Sequence, residues 1–441
     1  MELAAETKLN TAQHYSPTST PVLDVFRPLP PQTKDGLSAG EYFLVSSLVI
    51  LGLVGLPSLR SIFESIFAAP ASAAYWSLAV VLGAILVIAV THEVGHLLAG
   101  MAAGFKVTQI RIGPVRLGKS SCNQEPYSGD VLTLGTCAFE LRAKNLDDMD
   151  VNLRRHLLML AAGGPAASLL LACALEAARA WGQPGFLVSF SMHFAALLSA
   201  ILGIAALMPD INRYGNFSDG ARLLMLLQRN EKAERWLSNI RCQVALNQGR
   251  HPRDWNHGCV ARAAAVHDDS RDAFIARWLA YLWAAERQDI TCATRYLEGA
   301  LEVLGYATPV LRNHLFLEAA IFQAWFRDNP SKALFWVYRI RNKKLTRLQK
   351  QRLDIALLWA EGRLFDAWEK LSTGYLAQLL ELPASPGRAL AEESAAEWKR
   401  QMESRMLTRA WRSMYSLSRQ LEPAALRAAF SPSESQKIAS W

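Results

Sequence analysis

The chain has 441 residues, of which 51% are apolar and 20% charged, with a formal net charge of +8. Soluble domains carry about 25% charged residues, and here the deficit lies almost wholly between Tyr42 and Leu227, so the first half reads as membrane and the second as soluble. No finger, RNP or helix-turn-helix signature accompanies the basic balance. A nucleic-acid partner is therefore not expected, and Lys and Arg held beside anionic headgroups account for the charge. The 6 cysteines form no CxxC pair, which excludes a disulfide framework. Cys122 and Cys137 share one loop and are read as reduced thiols.

Residues 1–40 are polar and rich in Pro, Ser and Thr, and read as a disordered tail without the charged-then-apolar opening of a secretion signal. Four uncharged or nearly uncharged runs follow: Tyr42–Leu59, Trp76–Gly104, Leu157–Leu175 and Phe186–Met208. Each is near the roughly 20 residues that cross a bilayer, and in lipid such runs must be helical. The loop between the second and third runs holds Lys106, Arg111, Arg116, Lys119, Arg142, Lys144, Arg154 and Arg155, and the positive-inside rule puts it in the cytoplasm. Both termini then fall on that side, and the second span runs inward. Within the loop, Val107–Leu117 and Val131–Leu141 have strand-like patterns and predict a small sheet at the membrane surface.

The second run is interrupted by His92-Glu93-Val94-Gly95-His96. Positions i and i+4 share one helical face, so the two imidazoles stand side by side at the separation one zinc ion bridges. Glu93, one residue on, is within reach of a zinc-activated water as its base. Ionisable residues inside a span are costly, which argues against a chance occurrence of the pattern. Catalytic zinc takes three protein ligands. The candidates for the third are Asp219, in Ser218-Asp219-Gly220, and its rival Asp210, in Met208-Pro209-Asp210. Asp219 ranks first because the following glycine suits a turn that aims the carboxylate back toward the membrane. A structural reading of Asp219 as a helix cap stands beside it.

HExxH within a span, Gly164-Pro165 in the next span and Pro209 followed by Asp219-Gly220 after the last span together resemble the site-2 protease family of intramembrane zinc metalloproteases. The resemblance covers about residues 73–227. It implies zinc held by His92, His96 and Asp219, with Glu93 as the base. It implies a cytoplasmic active site, transmembrane protein substrates within the lipid bilayer, and a membrane-associated β element that pairs with unwound substrate. The chain departs from the family pattern at Ser168 and Ala206, where supporting asparagines are expected.

From Glu231 onward the pattern is helical. Three alike stretches, after Ala284, Ala324 and Ala360, lead to the marker alanines Ala293, Ala333 and Ala367, spaced 40 and 34 residues apart. That period is close to the tetratricopeptide repeat. A generic helical bundle fits as well, and either suits a partner-binding module. His251, His257, His267 and Cys259 lie at no recognised ligand spacing and read as surface residues.

The expected fold is mostly α: a disordered tail over 1–40, a membrane domain of about four spans over 41–228 with a small β element, a tetratricopeptide-like domain over 229–430, and a tail over 431–441. The expected activity is intramembrane proteolysis. The alternative is a catalytically impaired scaffold acting through its helical domain.

Overall fold

A long uncharged run in lipid can satisfy its backbone only by coiling on itself. The computed structural model describes residues 39–67, 70–112, 115–117, 135–141, 146–212, 215–340 and 345–429. The membrane half comprises α1 (Ala39–Phe67), α2 (Pro70–Ala102), β1 (Phe105–Ile112), β2 (Val115–Leu117), β3 (Gly135–Leu141), α3 (Leu146–Gly182) and α4 (Phe186–Leu207). Three stretches are long and apolar enough to cross a membrane: Ala79–Ala102 in α2, Asn152–Gly182 in α3 and Val188–Leu207 in α4. The first of the four expected spans falls on α1, whose described apolar stretch, Ala39–Leu51, is shorter than a span. The 37 residues of α3 extend about 55 Å, so its polar N-terminal turns, from Leu146 to Asn152, run past a 30 Å hydrocarbon core.

The expected β element is present, with one difference. Val107–Leu117 reads as one strand but forms two, β1 and β2, paired antiparallel from Ile110↔Leu117 to Ile112↔Val115. Gly113-Pro114 lies between them in the sequence, and that dipeptide interrupts strands. Strand β1 is central and also pairs with β3, from Phe105↔Leu141 to Ile112↔Gly135. The tails over 1–38 and 430–441, and Cys122, lie outside the described residues.

The remaining helices are α5 (Asp219–Gln228), α6 (Glu231–Asn247), α7 (His257–Ala265), α8 (Arg271–Glu286), α9 (Ile290–Glu302), α10 (Pro309–Trp325), α11 (Pro330–Val337), α12 (Arg347–Ala360), α13 (Leu364–Glu369), α14 (Leu376–Glu381) and α15 (Pro386–Ala429). Their starts are written locally. Ser218, Asn230, Asn256, Ser270, Asp289, Asn329 and Thr346 each accept the third amide of the helix they open. Each of the three alike stretches contains a turn with one residue in the left-handed region: Gln288, Asp328 and Gly362. The marker alanines that follow, Ala293, Ala333 and Ala367, are all buried.

Packing divides the chain into two units, Met1–Arg312 and Asn313–Trp441. The first therefore holds the membrane helices together with the helices up to α9. One apolar core joins them: Ala103 and Phe105 after α2, Leu153 and Leu157 of α3, Met225 and Leu226 of α5, and Ala233, Leu237 and Val244 of α6. A second, within the membrane, centres on Ile88, Phe194 and Leu198. The second unit is built around stacked indoles, with Trp325 lying 4.3 Å from Trp359 and 4.1 Å from Trp398 between ring centroids.

Arg235 of α6 is fully buried and pairs with Asp268 through two bonds of 2.9 and 2.8 Å, and its Nη2 also donates to Ser270. Burial raises the Asp268 carboxyl, but the Arg235 guanidinium and the Ser270 hydroxyl more than offset this and hold it below the ordinary carboxylate value. A depressed folded-state value makes the pair stabilising above the unfolded value of about 3.9, and that contribution is lost as pH falls through the folded value. Asp268→Asn leaves a buried guanidinium without its counter-charge and is expected to cost about 3–5 kcal/mol. Thermal unfolding of detergent-solubilised protein checks both points: the gap between wild type and variant should be full at neutral pH and narrow progressively as pH falls below about 4.

Candidate metal centre

Helices α2 and α3 cross where neither carries bulk. A β-carbon on Gly95 would lie 2.3 Å from the Gly163 carbonyl oxygen, and one on Gly163 would lie 2.5 Å from that of Gly95. Ala167 and Ala99, four residues further along each helix, face the same contact. Small residues at a four-residue spacing let membrane helices approach backbone to backbone. The crossing sets His92 and His96 of α2 directly against Gly164 of α3, where a β-carbon would lie 2.6 Å from His92 Nε2 and 2.3 Å from His96 Nε2. The missing side chain is what leaves room for the two imidazoles.

Each ring is held by its other nitrogen. His96 Nδ1 donates to the Leu160 carbonyl at 2.7 Å, and His92 Nδ1 pairs with Ser168 Oγ at 3.0 Å. These contacts direct both Nε2 lone pairs to the same side, which is the usual way a protein orients ligating histidines. Ser168 is itself wholly buried, and its carbonyl accepts from Ser199 Oγ at 2.7 Å. Glu93 is buried at 8% exposure on the same helical turn.

The third group arrives from α5. Asp219 Oδ2 lies 3.4 Å from His92 Nε2 and 3.3 Å from His96 Nε2. Two atoms each about 2.05 Å from a tetrahedral ion are about 3.3 Å apart, so the spacing fits zinc. An N, N, O donor set suits the same ion. Among the described residues, this is the one group of three or more His, Cys, Asp or Glu side chains close enough to share a metal. Asp210 goes elsewhere. Its Oδ2 accepts the Gly40 amide at 2.6 Å, which caps the first turn of α1. The structural reading of Asp219 as a cap also fails: Ser218 holds that place, accepting the Ala221 amide at 3.1 Å.

The other histidines form no such group. His257 stacks on Trp283 with centroids 4.9 Å apart, and buried His251 lies 3.3 Å from Glu286. Ser168 was visible in the sequence only as a departure from a pattern, and nothing local to the sequence marks Leu160 as a partner of His96.

Residues 80–183 match the model of peptidase family M50. This segment is similar to the M50 metallopeptidases, the family of the site-2 proteases. No curated protein and no solved structure matches the chain. The M50 segment contains His92, Glu93, His96 and the Gly163–Ser168 stretch, and it ends before Asp219, which joins the M50 histidines only through the tertiary structure. The family and the three apolar helices make this an integral membrane protein of metallopeptidase type.

Two substitutions test the geometry through metal content, without any assay of activity. Gly164→Ala puts a methyl group against both Nε2 atoms and should abolish metal retention, whereas Gly83→Ala, with open space around its β-carbon, should retain it. Ser168→Ala frees His92 Nδ1 and should weaken metal binding by about 10- to 100-fold. Metal content after dialysis, by atomic emission, reads both.

Proposed function

We propose that the chain is an intramembrane zinc metalloprotease that hydrolyses peptide bonds in or near the transmembrane segments of other membrane proteins. The observation that carries this reading is the convergence of His92 Nε2, His96 Nε2 and Asp219 Oδ2, mutually within 4.8 Å, beside buried Glu93 and inside apolar helices. His92, His96 and Asp219 would hold the zinc ion. When bound, zinc supplies a Lewis acid that lets water ionise near neutral pH and that polarises a carbonyl.

The chain's own residues do the rest. The Glu93 carboxylate takes the proton released as water attacks the scissile carbonyl carbon, and returns it to the amide nitrogen as the C–N bond breaks. His92 and His96 keep their Nδ1 atoms engaged throughout, so the ligand geometry does not drift. With side-chain exposures of 12% for His92 and 14% for His96, the imidazoles are largely shielded from bulk solvent, which strengthens the charge interactions in the site. A substrate helix has to unwind before its backbone is open to attack. Among the described residues β2 and β3 each pair on one side only, so their outer edges offer the unwound strand a template.

The basic loop between α2 and α3 supports an active site on the cytoplasmic face, with both termini on that side and α1 as a fourth span. The repeated turns at Gln288, Asp328 and Gly362 support a tetratricopeptide-like, partner-binding role for the helical half.

Glu93→Gln should keep zinc and lower cleavage by at least about a hundredfold. Asp219→Ala should lose zinc, and Asp210→Ala should keep it. The assay is cleavage of a single-span substrate co-reconstituted in proteoliposomes, with zinc stoichiometry measured on the same samples. Wild-type cleavage by Glu93→Gln would sink the mechanism.

A further inference from the structure

Asp219 lies at the first position of a short helix that follows a loop, and such a position has little rigidity of its own. The described residues before it, 208–212 and 215–218, are cross-tied. Ser218 Oγ donates to the Met208 carbonyl at 2.6 Å and accepts the Asp210 amide at 3.0 Å, while Ile211 bridges Phe217. What the loop leans on is the soluble array. Gly215 has φ +75, and its carbonyl accepts the Arg271 amide, at the start of α8, at 3.0 Å. A β-carbon there would lie 2.7 Å from the Tyr306 ring and 2.8 Å from the Arg271 nitrogen.

Three residues beyond Asp219, on the same helix, is Arg222. Its guanidinium forms a two-pronged pair with Asp272 in the first turn of α8, Nη1 to Oδ2 and Nη2 to Oδ1, the latter at 3.1 Å. The same guanidinium lies over the ring of Trp236 at 4.1 Å and over that of Phe217 at 4.9 Å. Asp272 is buried, and its carbonyl accepts from Asn239 Nδ2 at 3.0 Å. At its far end, α5 is held by Arg154 of α3, whose Nη1 donates to the Leu226 carbonyl at 3.0 Å and whose Nη2 pairs with Glu234.

From this we infer that Arg222 and Asp272 are positioning residues for the metal centre: the start of α8, in the soluble array, sets where Asp219 meets His92 and His96. A paired and stacked guanidinium allows helix α5 one rotation about its axis, and that rotation decides where Asp219 points. Besides the pair, α5 is held near Asp219 by Gly220, which lies against the Leu207 carbonyl, and at its far end by Leu226 and the apolar core; the Arg222 pair is the side-chain contact that ties it to the start of α8. An error of about 1 Å at a reacting group is enough to cost a large factor in rate. The helices up to α9 are in this respect part of the enzyme's scaffold, which agrees with their falling in one unit with the membrane helices.

The inference rests on the proposed zinc site, and the experiment separates the two. Zinc affinity is measured by competition with a chromophoric chelator on full-length protein in detergent, for wild type, Arg222→Ala, Asp272→Asn, Arg222→Lys and Asp219→Ala. Arg405→Ala, which removes an Arg–Asp pair of the second unit, is the control. The expected result is a 10- to 100-fold loss of zinc affinity in Arg222→Ala and in Asp272→Asn, an isostere that keeps the shape of the site. Arg222→Lys keeps the charge without the fork and should recover part of the loss. In proteoliposomes, kcat should fall in the two variants while KM for the substrate stays unchanged. Wild-type zinc affinity in both variants overturns the inference, as does an equal loss in Arg405→Ala, which would mark general destabilisation. Should Asp219→Ala itself keep zinc, the site reading fails, independently of the clamp.

Discussion

Polar atoms buried among apolar helices have no water to fall back on, and the group formed by His92, Glu93, His96 and Asp219 is shaped by that constraint. An unpaired polar atom in such surroundings costs several kcal/mol. Each imidazole therefore needs a partner for both nitrogens. Nδ1 finds Leu160 and Ser168 within the bundle, which leaves Nε2 for Asp219 or for a metal. The requirement for satisfaction and the requirement for a ligand geometry are met by the same contacts.

Room for this group comes from what is missing. Gly95 and Gly163 bring α2 and α3 to backbone contact, and Gly164 opens the space that the rings occupy. Lipid provides no hydrophobic force between helices, so close packing of small residues has to supply the attraction. The same short stretch of α3 thus both tightens the crossing and hollows it at one point. Ser168, one turn further on, replaces the expected asparagine with a shorter side chain that still reaches His92.

The helices after α4 enter the picture through α5. A carboxylate on the first turn of a short helix is aimed by whatever the helix docks against, and here that is the apolar core shared by α3, α5 and α6, together with the start of α8. The apolar helices and those up to α9 fall in one unit because these contacts run through both.

Much of this was legible in the order of residues. The apolar runs predicted the long helices, because lipid leaves a backbone no other choice. The i, i+4 spacing of His92 and His96 is a property of one helix and needs no other part of the chain. Capping residues such as Ser218 and Thr346 act within three positions, so helix starts are local too. The tertiary structure alone separates Asp219 from Asp210. Both follow the last span within a dozen residues, and only the docking of α5 against α3 and α4 brings one to the histidines while the other caps α1. It also decided that Ser168 meets His92, Leu160 meets His96 and Arg222 meets Asp272, each pair tens of residues apart along the chain. Local rules set a residue's conformation, whereas contacts between distant segments depend on how whole helices pack.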